Sequence, residues 1–216
     1  MKVIGSRWAL PTAVLAAAFL APCRSDGAET TGHSRQGVEA KLEYCETCHG
    51  LSGEGYHGYF TMPRLAGQQP RYIENQLRAF IERRRTNQVM FNVAHSLSPS
   101  MLAALANHFH GLHPGPAGDG PQRLVAGGKT IYEEGIPEAN VAACFACHGL
   151  EGYGQDEIPR LAGQLYPYVV KELTNWAKER GQGSGKSDTS AIMVPTAHNL
   201  TPSQIAAVAA YVSHLK

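Results

Sequence analysis

The sequence predicts an all-α protein built as two tandem, similar helical domains. Three observations predict it. First, the chain repeats itself: Pro63-Arg64-Leu65-Ala66-Gly67-Gln68 recurs verbatim as Pro159-Arg160-Leu161-Ala162-Gly163-Gln164, and Tyr72, Leu77, Phe80 and Arg84 align with Tyr168, Leu173, Trp176 and Arg180. Second, apolar residues recur at helical spacing in both copies, and no run reads as a strand. Third, the stretch 114–121, rich in proline and glycine, divides the copies and can hold neither helix nor strand.

The elements follow in chain order. Residues 1–27 read as a signal peptide, with Lys2 and Arg7 ahead of an apolar stretch from Trp8 to Leu20, then small and polar residues. The apolar core is short for a membrane span. Export places the chain in a periplasm. Left uncleaved, or lipidated at Cys23, the leader would give a peripheral membrane association, although Pro22 fits a lipidation site poorly.

Short helices are expected over 37–45 and 127–134. Longer ones are expected over 71–84 and 168–180, where Ile73, Leu77, Phe80 and Ile81 correspond to Val169, Leu173 and Trp176. The last helix of each copy opens on a capping residue and a proline, Ser98-Pro99 and Thr201-Pro202. Its apolar stripe is Leu102, Leu105, Ala106 and Phe109, matched by Ile205, Val208, Ala209 and Val212. The expected division is a first domain over 37–113, a linker over 114–123 and a second domain over 124–216. Each domain is small enough that side chains alone make a marginal core.

Each copy carries Cys-x-x-Cys-His, at Cys45, Cys48 and His49 and at Cys144, Cys147 and His148. This is the attachment signature of c-type haem, in which two thiols bond the porphyrin vinyl groups and the adjoining histidine ligates iron. Two haem c groups are expected, bonded to Cys45 and Cys48 and to Cys144 and Cys147. A covalently held porphyrin would complete each core, so a chain lacking haem is expected to stay largely unfolded.

Iron needs a second axial ligand. Of five methionines only Met90 and Met193 coincide in the repeat, and a thioether opposite imidazole favours ferrous iron. The expected axial pairs are His49 with Met90 and His148 with Met193. His95 and His198 also coincide and are the rival ligands, a solvated surface role being ordinary for such histidines. His57, His108, His110, His113 and His214 have no repeat partner and read as solvated.

The Pro63 and Pro159 carbonyls are candidates to accept from the unligated nitrogen of the haem histidine, and Arg64 and Arg160 to pair with propionates. As a bare turn the block would need only Gly67 and Gly163. Tyr72, Tyr168, Phe80 and Trp176 read as core against the haem.

Several classes are excluded or disfavoured. The 216-residue chain is 43% apolar with a formal charge of +1. Loss of the leader would remove Lys2, Arg7, Arg24 and Asp26 and keep it near neutral, which leaves no electrostatic footprint for nucleic acid. Four of the five cysteines lie in the motifs and the fifth in the leader, so no disulfide framework remains. Paired zinc knuckles lie closer in sequence than these motifs, and a thioredoxin-like pair would want a βαβ setting.

Taken together, the duplicated Cys-x-x-Cys-His-Gly, the Pro-Arg-Leu-Ala-Gly-Gln block, the Tyr-x-x-x-Gln/Glu-Leu-x-x-Phe/Trp helix and the Leu-Ser/Thr-Pro start of the last helix resemble the dihaem cytochrome c4 family. The resemblance covers almost all of the expected mature chain. It implies two cytochrome c folds facing one another, each with a His/Met-ligated haem, and periplasmic electron transfer without substrate chemistry. The implied partners are a protein electron donor and acceptor, such as a cytochrome bc-type complex, a terminal oxidase or a dehydrogenase. The chain departs from the family in its short opening helix and in the Gly/Ser-rich insertion before Met193. Cytochrome subunits of dehydrogenase complexes, such as the partner of sulfide-oxidising flavoproteins, share much of the pattern and give the alternative reading. A dihaem peroxidase would need an iron with a releasable position, and two matched methionines argue against it.

Overall fold

The computed structural model describes residue 5 and residues 35–113, 115–180 and 189–216. The expected leader with Cys23 and the polar insertion over 181–188 lie outside the described residues. Everything below belongs to the compact unit Gly32–Lys216.

Helix α1 (Arg35–His49) runs through the first motif instead of stopping ahead of it. Nothing in Glu46-Thr47 breaks a helix, so Cys45, Cys48 and His49 come to share one face. The second copy is built differently. Helix α5 (Gln122–Glu134) starts inside the expected linker, directly after Pro121, and ends where Gly135 adopts φ 72°. A 3-10 turn (Pro137–Ala139) and an isolated bridge between Ile136 and Val141 follow. The second motif therefore sits on its own single-turn helix, α6 (Phe145–His148).

Helices α2 (Pro70–Ile81) and α7 (Tyr166–Glu179) begin earlier than their apolar spacing suggests. Proline occupies the first turn of each, where its missing N–H costs nothing. Helix α2 also ends early, because Arg83 turns left-handed at φ 58°. Two short helices, α3 (Gln88–His95) and α8 (Met193–Asn199), have no signature in the periodicity. Helices α4 (Pro99–His110) and α9 (Pro202–His214) start where their caps put them. The Ser98 hydroxyl accepts from the Met101 N–H at 3.3 Å, and Thr201 and Gln204 form a reciprocal capping box.

Every residue of the two apolar stripes on α4 and α9 is buried. In the first half one core cluster gathers Ile73, Ala106 and Phe109, flanked by Leu42, Cys45, Leu65, Leu77 and Leu112, and Phe80, Met101, Leu102 and Leu105 are buried in the same half. In the second half Tyr132, Val169, Val208, Ala209 and Val212 form one cluster, with Ile136, Val141, Leu200 and Ile205 in another beside it. One motif cysteine packs at the edge of each core, Cys45 in the first and Cys144 in the second.

Residues 115–121 hold no helix or strand, as composition predicts, yet they are not a loose tether. The Gly118 N–H donates to the Ser213 carbonyl at 2.8 Å, and the Gly120 N–H to the Ser213 hydroxyl at 3.1 Å. Asp119 accepts from the Tyr166 N–H at 2.9 Å, at the start of α7. Among the described residues no single helix is long and apolar enough to cross a membrane.

Candidate haem sites and the face between the two halves

In both halves the motif histidine is buried and held by the same backbone partner. His49 Nδ1 lies 2.8 Å from the Pro63 carbonyl oxygen, and His148 Nδ1 lies 2.9 Å from that of Pro159. A carbonyl can only accept, so Nδ1 carries the proton and Nε2 keeps its lone pair. Burial holds both imidazoles below the ordinary histidine pKa, against the opposing pull of these bonds. Each ring is thus a neutral, oriented nitrogen donor.

The thiols differ within each pair. Cys45 and Cys144 are half-buried, and burial pushes each up to about 11, so both remain protonated thiols at neutral pH. Cys48 and Cys147 are exposed, and all four are free of disulfides.

A return loop carries each proline back over its motif. The Gly53 carbonyl accepts from the Leu65 and Ala66 N–H groups, and the Gly152 carbonyl from those of Leu161 and Ala162. The loop is longer in the first half, with 14 positions from His49 to Pro63 against 11 from His148 to Pro159. The extra residues present Tyr59 and Phe60 to solvent, 97% and 71% exposed.

The repeated six-residue block does form a tight turn. Gly67 and Gly163 adopt φ of 72° and 69°, and the Gln68 and Gln164 N–H groups bond back to Leu65 and Leu161. Its end does something that sequence reasoning missed. The Gln164 side chain accepts from the Arg64 N–H at 2.9 Å and donates to the Arg64 carbonyl at 3.0 Å. Gln68 does the same to Arg160, at 2.7 and 3.0 Å. The verbatim recurrence of glutamine was the available signal, but a single copy gives no hint of a partner in the other.

The arginines of the block, candidates to pair with propionates, each bond at Nε to a backbone carbonyl two residues further on. Arg64 Nε donates to the Ala66 carbonyl at 3.1 Å and its guanidinium also reaches the Gly115 carbonyl; Arg160 Nε donates to the Ala162 carbonyl at 3.0 Å. Burial and then the neighbouring Arg160 bring Arg64 down to about 10, with Glu54 opposing.

A second contact between the halves joins α2 and α7. Arg85 donates to the Tyr168 hydroxyl at 2.8 Å, to Glu172 at 3.1 Å and to Gln76 at 2.9 Å. Arg180 pairs with Glu172 and donates to the Tyr72 hydroxyl at 3.3 Å. The tyrosine hydroxyls, read from sequence as part of a haem-facing core, therefore bond across the halves. Sequence alignment matches Arg180 with Arg84, but Arg85 takes the corresponding role; Arg84 pairs with Glu82 at 2.7 Å.

Met90 lies in the first turn of α3 and Met193 opens α8, both half-buried, each just ahead of its last helix. Their rivals His95 and His198 are exposed, His95 stacking on Phe91 with ring centres 5.4 Å apart. Of the unmatched histidines, His57, His110 and His113 are exposed, as expected, and two are less solvated than sequence suggests. His108 and His214 are half-buried, His214 Nε2 donates to the Gly120 carbonyl at 2.8 Å, and His110 Nδ1 donates to that of Gln68 at 3.0 Å.

Among the described residues no group of three or more His, Cys, Asp or Glu is arranged to hold a metal ion, so the cysteine pairs do not gather as a zinc site would. Two free thiols on one helical turn beside an Nδ1-anchored neutral imidazole fit haem c. Known proteins agree. The family model for cytochrome c matches residues 125–216. The chain is 34% identical over 184 residues to a cytochrome c4 of Thiocapsa roseopersicina, covering 83% of this chain and 92% of that one. It is 34% identical over 174 residues to a thiosulfate dehydrogenase electron acceptor of Thiomonas intermedia, covering 78% and 77%. The solved cytochrome c4 of Acidithiobacillus ferrooxidans superposes with a TM-score of 0.68 at 34% identity, covering 80% of this chain and 99% of that one.

Fold, paired sites and these likenesses define a dihaem c-type cytochrome of two cytochrome c domains, which carries electrons and is not an enzyme. Its electron traffic is with other redox proteins. The chain belongs to the cytochrome c4 family.

Proposed function

We propose that this chain is a periplasmic electron carrier whose two haems are bonded to Cys45 and Cys48 and to Cys144 and Cys147, with His49 and Met90, and His148 and Met193, as axial ligands. The domains are those over 37–113 and 124–216, behind a signal peptide over 1–27. These four cysteines would hold the haems through thioether bonds, each S–H supplying a sulfur to one vinyl carbon and a hydrogen to the other, so that no external oxidant would be consumed. Bound haem supplies one-electron chemistry, and the protein orients the ligands and shields the iron. The observation that carries this reading is the duplicated His Nδ1–H to proline carbonyl bond, which presents Nε2 in both halves.

The test is substitution of the sulfur ligands. Met90→Ala and Met193→Ala should each lower one of two reduction potentials and remove half of the methionine–iron charge-transfer absorption, followed by optical redox titration. Unchanged spectra in either variant would refute that ligand. The mass of the denatured protein should carry two added haems.

A relative named as the electron acceptor of a thiosulfate dehydrogenase favours a dehydrogenase as the electron donor here. The acceptor in this reading is a terminal oxidase of a respiratory chain. Co-purification of the chain with a dehydrogenase, and its reduction by that enzyme's substrate, would support the first half of this assignment.

A further inference from the structure

Pro63 C=O and Arg64 N–H belong to one peptide group, as do Pro159 C=O and Arg160 N–H. Each of these peptides is bonded at both ends. On the carbonyl side it accepts from its own half's histidine, His49 at 2.8 Å and His148 at 2.9 Å. On the amide side it donates to a glutamine of the opposite half, Arg64 to Gln164 at 2.9 Å and Arg160 to Gln68 at 2.7 Å.

We infer that Gln164 tunes the iron held by His49 and that Gln68 tunes the iron held by His148, each acting across the face between the halves as a positioning residue. The inference rests on the ligand assignment proposed above. Its physical basis is that bonds in a chain polarise one another. An N–H that donates makes its own carbonyl a stronger acceptor. That carbonyl draws harder on the histidine proton, the imidazole becomes the more basic ligand, and ferric iron is favoured.

Water is a poor substitute here. Arg64, Gln68 and Gln164 are all buried, and each glutamine amide is fixed by three bonds. Besides the two to the opposite arginine backbone, Gln68 Oε1 accepts from the Gln69 N–H at 2.9 Å and Gln164 Oε1 from the Leu165 N–H at 3.0 Å. The arrangement is reciprocal, so each half sets part of the other's ligand field.

The experiment uses the protein carrying both haems. The methyl signals of the ligating methionines in reduced-state NMR, assigned through the Met90 and Met193 variants, identify each haem during a redox titration. Gln164→Leu should move the reduction equilibrium of the His49 haem roughly threefold towards the reduced form and leave the His148 haem in place. Gln68→Leu should do the reverse. Gln164→Glu and Gln68→Glu keep an acceptor oxygen and add charge, so each should move the same crossed haem in the opposite direction. These conservative variants decide the matter where a leucine variant does not load both haems. A shift in the haem of the glutamine's own half, an equal shift of both, or no shift overturns the inference, because a merely structural role at the interface has no reason to be crossed. Absence of the upfield methionine signals from the unmodified protein would instead count against the ligand assignment.

Discussion

Glu172 is the residue on which the contact between α2 and α7 turns. It is 6% exposed and faces two arginines, Arg85 from the first half and Arg180 from its own. The matching position in the first half is Gln76, which is neutral, so Glu172 is the carboxylate that both buried guanidiniums share; its other oxygen pairs with the more exposed Lys171 at 3.1 Å, and Lys171 also pairs with Glu179 at 2.9 Å. Arg180 lies below the ordinary arginine range through burial and then through Arg85, and its Nε is buried without a hydrogen-bond partner among the described residues. Glu172→Gln would leave both guanidiniums buried without their shared counter-charge. The expected cost is about 3 kcal/mol, the scale for breaking a buried ion pair from one side, read as a drop in the thermal midpoint of the haem-loaded protein. An unchanged midpoint would mean that water or a rearranged tyrosine solvates the cluster. The role of Arg85 was hidden in the sequence for a local reason. Arg83 turns left-handed just after α2, which changes the direction of the chain before the next two arginines.

At the scale of elements, the two halves are unequal despite their shared plan. Among the described residues the core cluster of the first gathers Ile73, Ala106 and Phe109, whereas the second packs α5, α7 and α9 around Tyr132. The Tyr132 hydroxyl donates to the Gly149 carbonyl at 2.6 Å, tying the isolated turn of the second motif to α5. A chain with all four motif cysteines changed to serine, and so without attached haem, should lose the first half entirely. Any residual amide-exchange protection should be confined to α5 and α9. Protection of α2 or α4 in that variant would show that side chains alone suffice there. Cap strength offers a finer check. Thr201→Ala removes one arm of the α9 capping box and should cost about 1 kcal/mol of stability, measured by denaturant unfolding of the haem-loaded protein.

For the molecule as a whole, the exposed surface beside the motifs is apolar or aromatic more than charged. Leu51, Tyr56, Tyr59 and Phe60 follow the first motif, and Leu150 and Tyr153 follow the second. With a formal charge of +1 on the chain, long-range steering of a partner is weak. Electron transfer to the physiological partner should therefore change only modestly with ionic strength, in contrast to the steep decline of oppositely charged pairs. Stopped-flow rates across a salt series would decide it, a steep fall counting against apolar docking.

Sequence alone determined the helical class, the duplication, the two haem signatures and the caps and stripes of α4 and α9. Those features depend on residues close together in the chain or on comparison of one copy with the other. It also offered the proline carbonyls as candidate partners of the two haem histidines, beside the reading of a bare turn, and the structure shows both the bonds and the turn. What it could not determine was everything that passes between the copies. Gln164 on the Arg64 backbone, Gln68 on that of Arg160 and Arg85 against Glu172 each join residues far apart in the chain. A local pattern specifies how a helix starts and which face it buries; which buried amide meets which backbone group is decided only when the halves pack and water is excluded from between them.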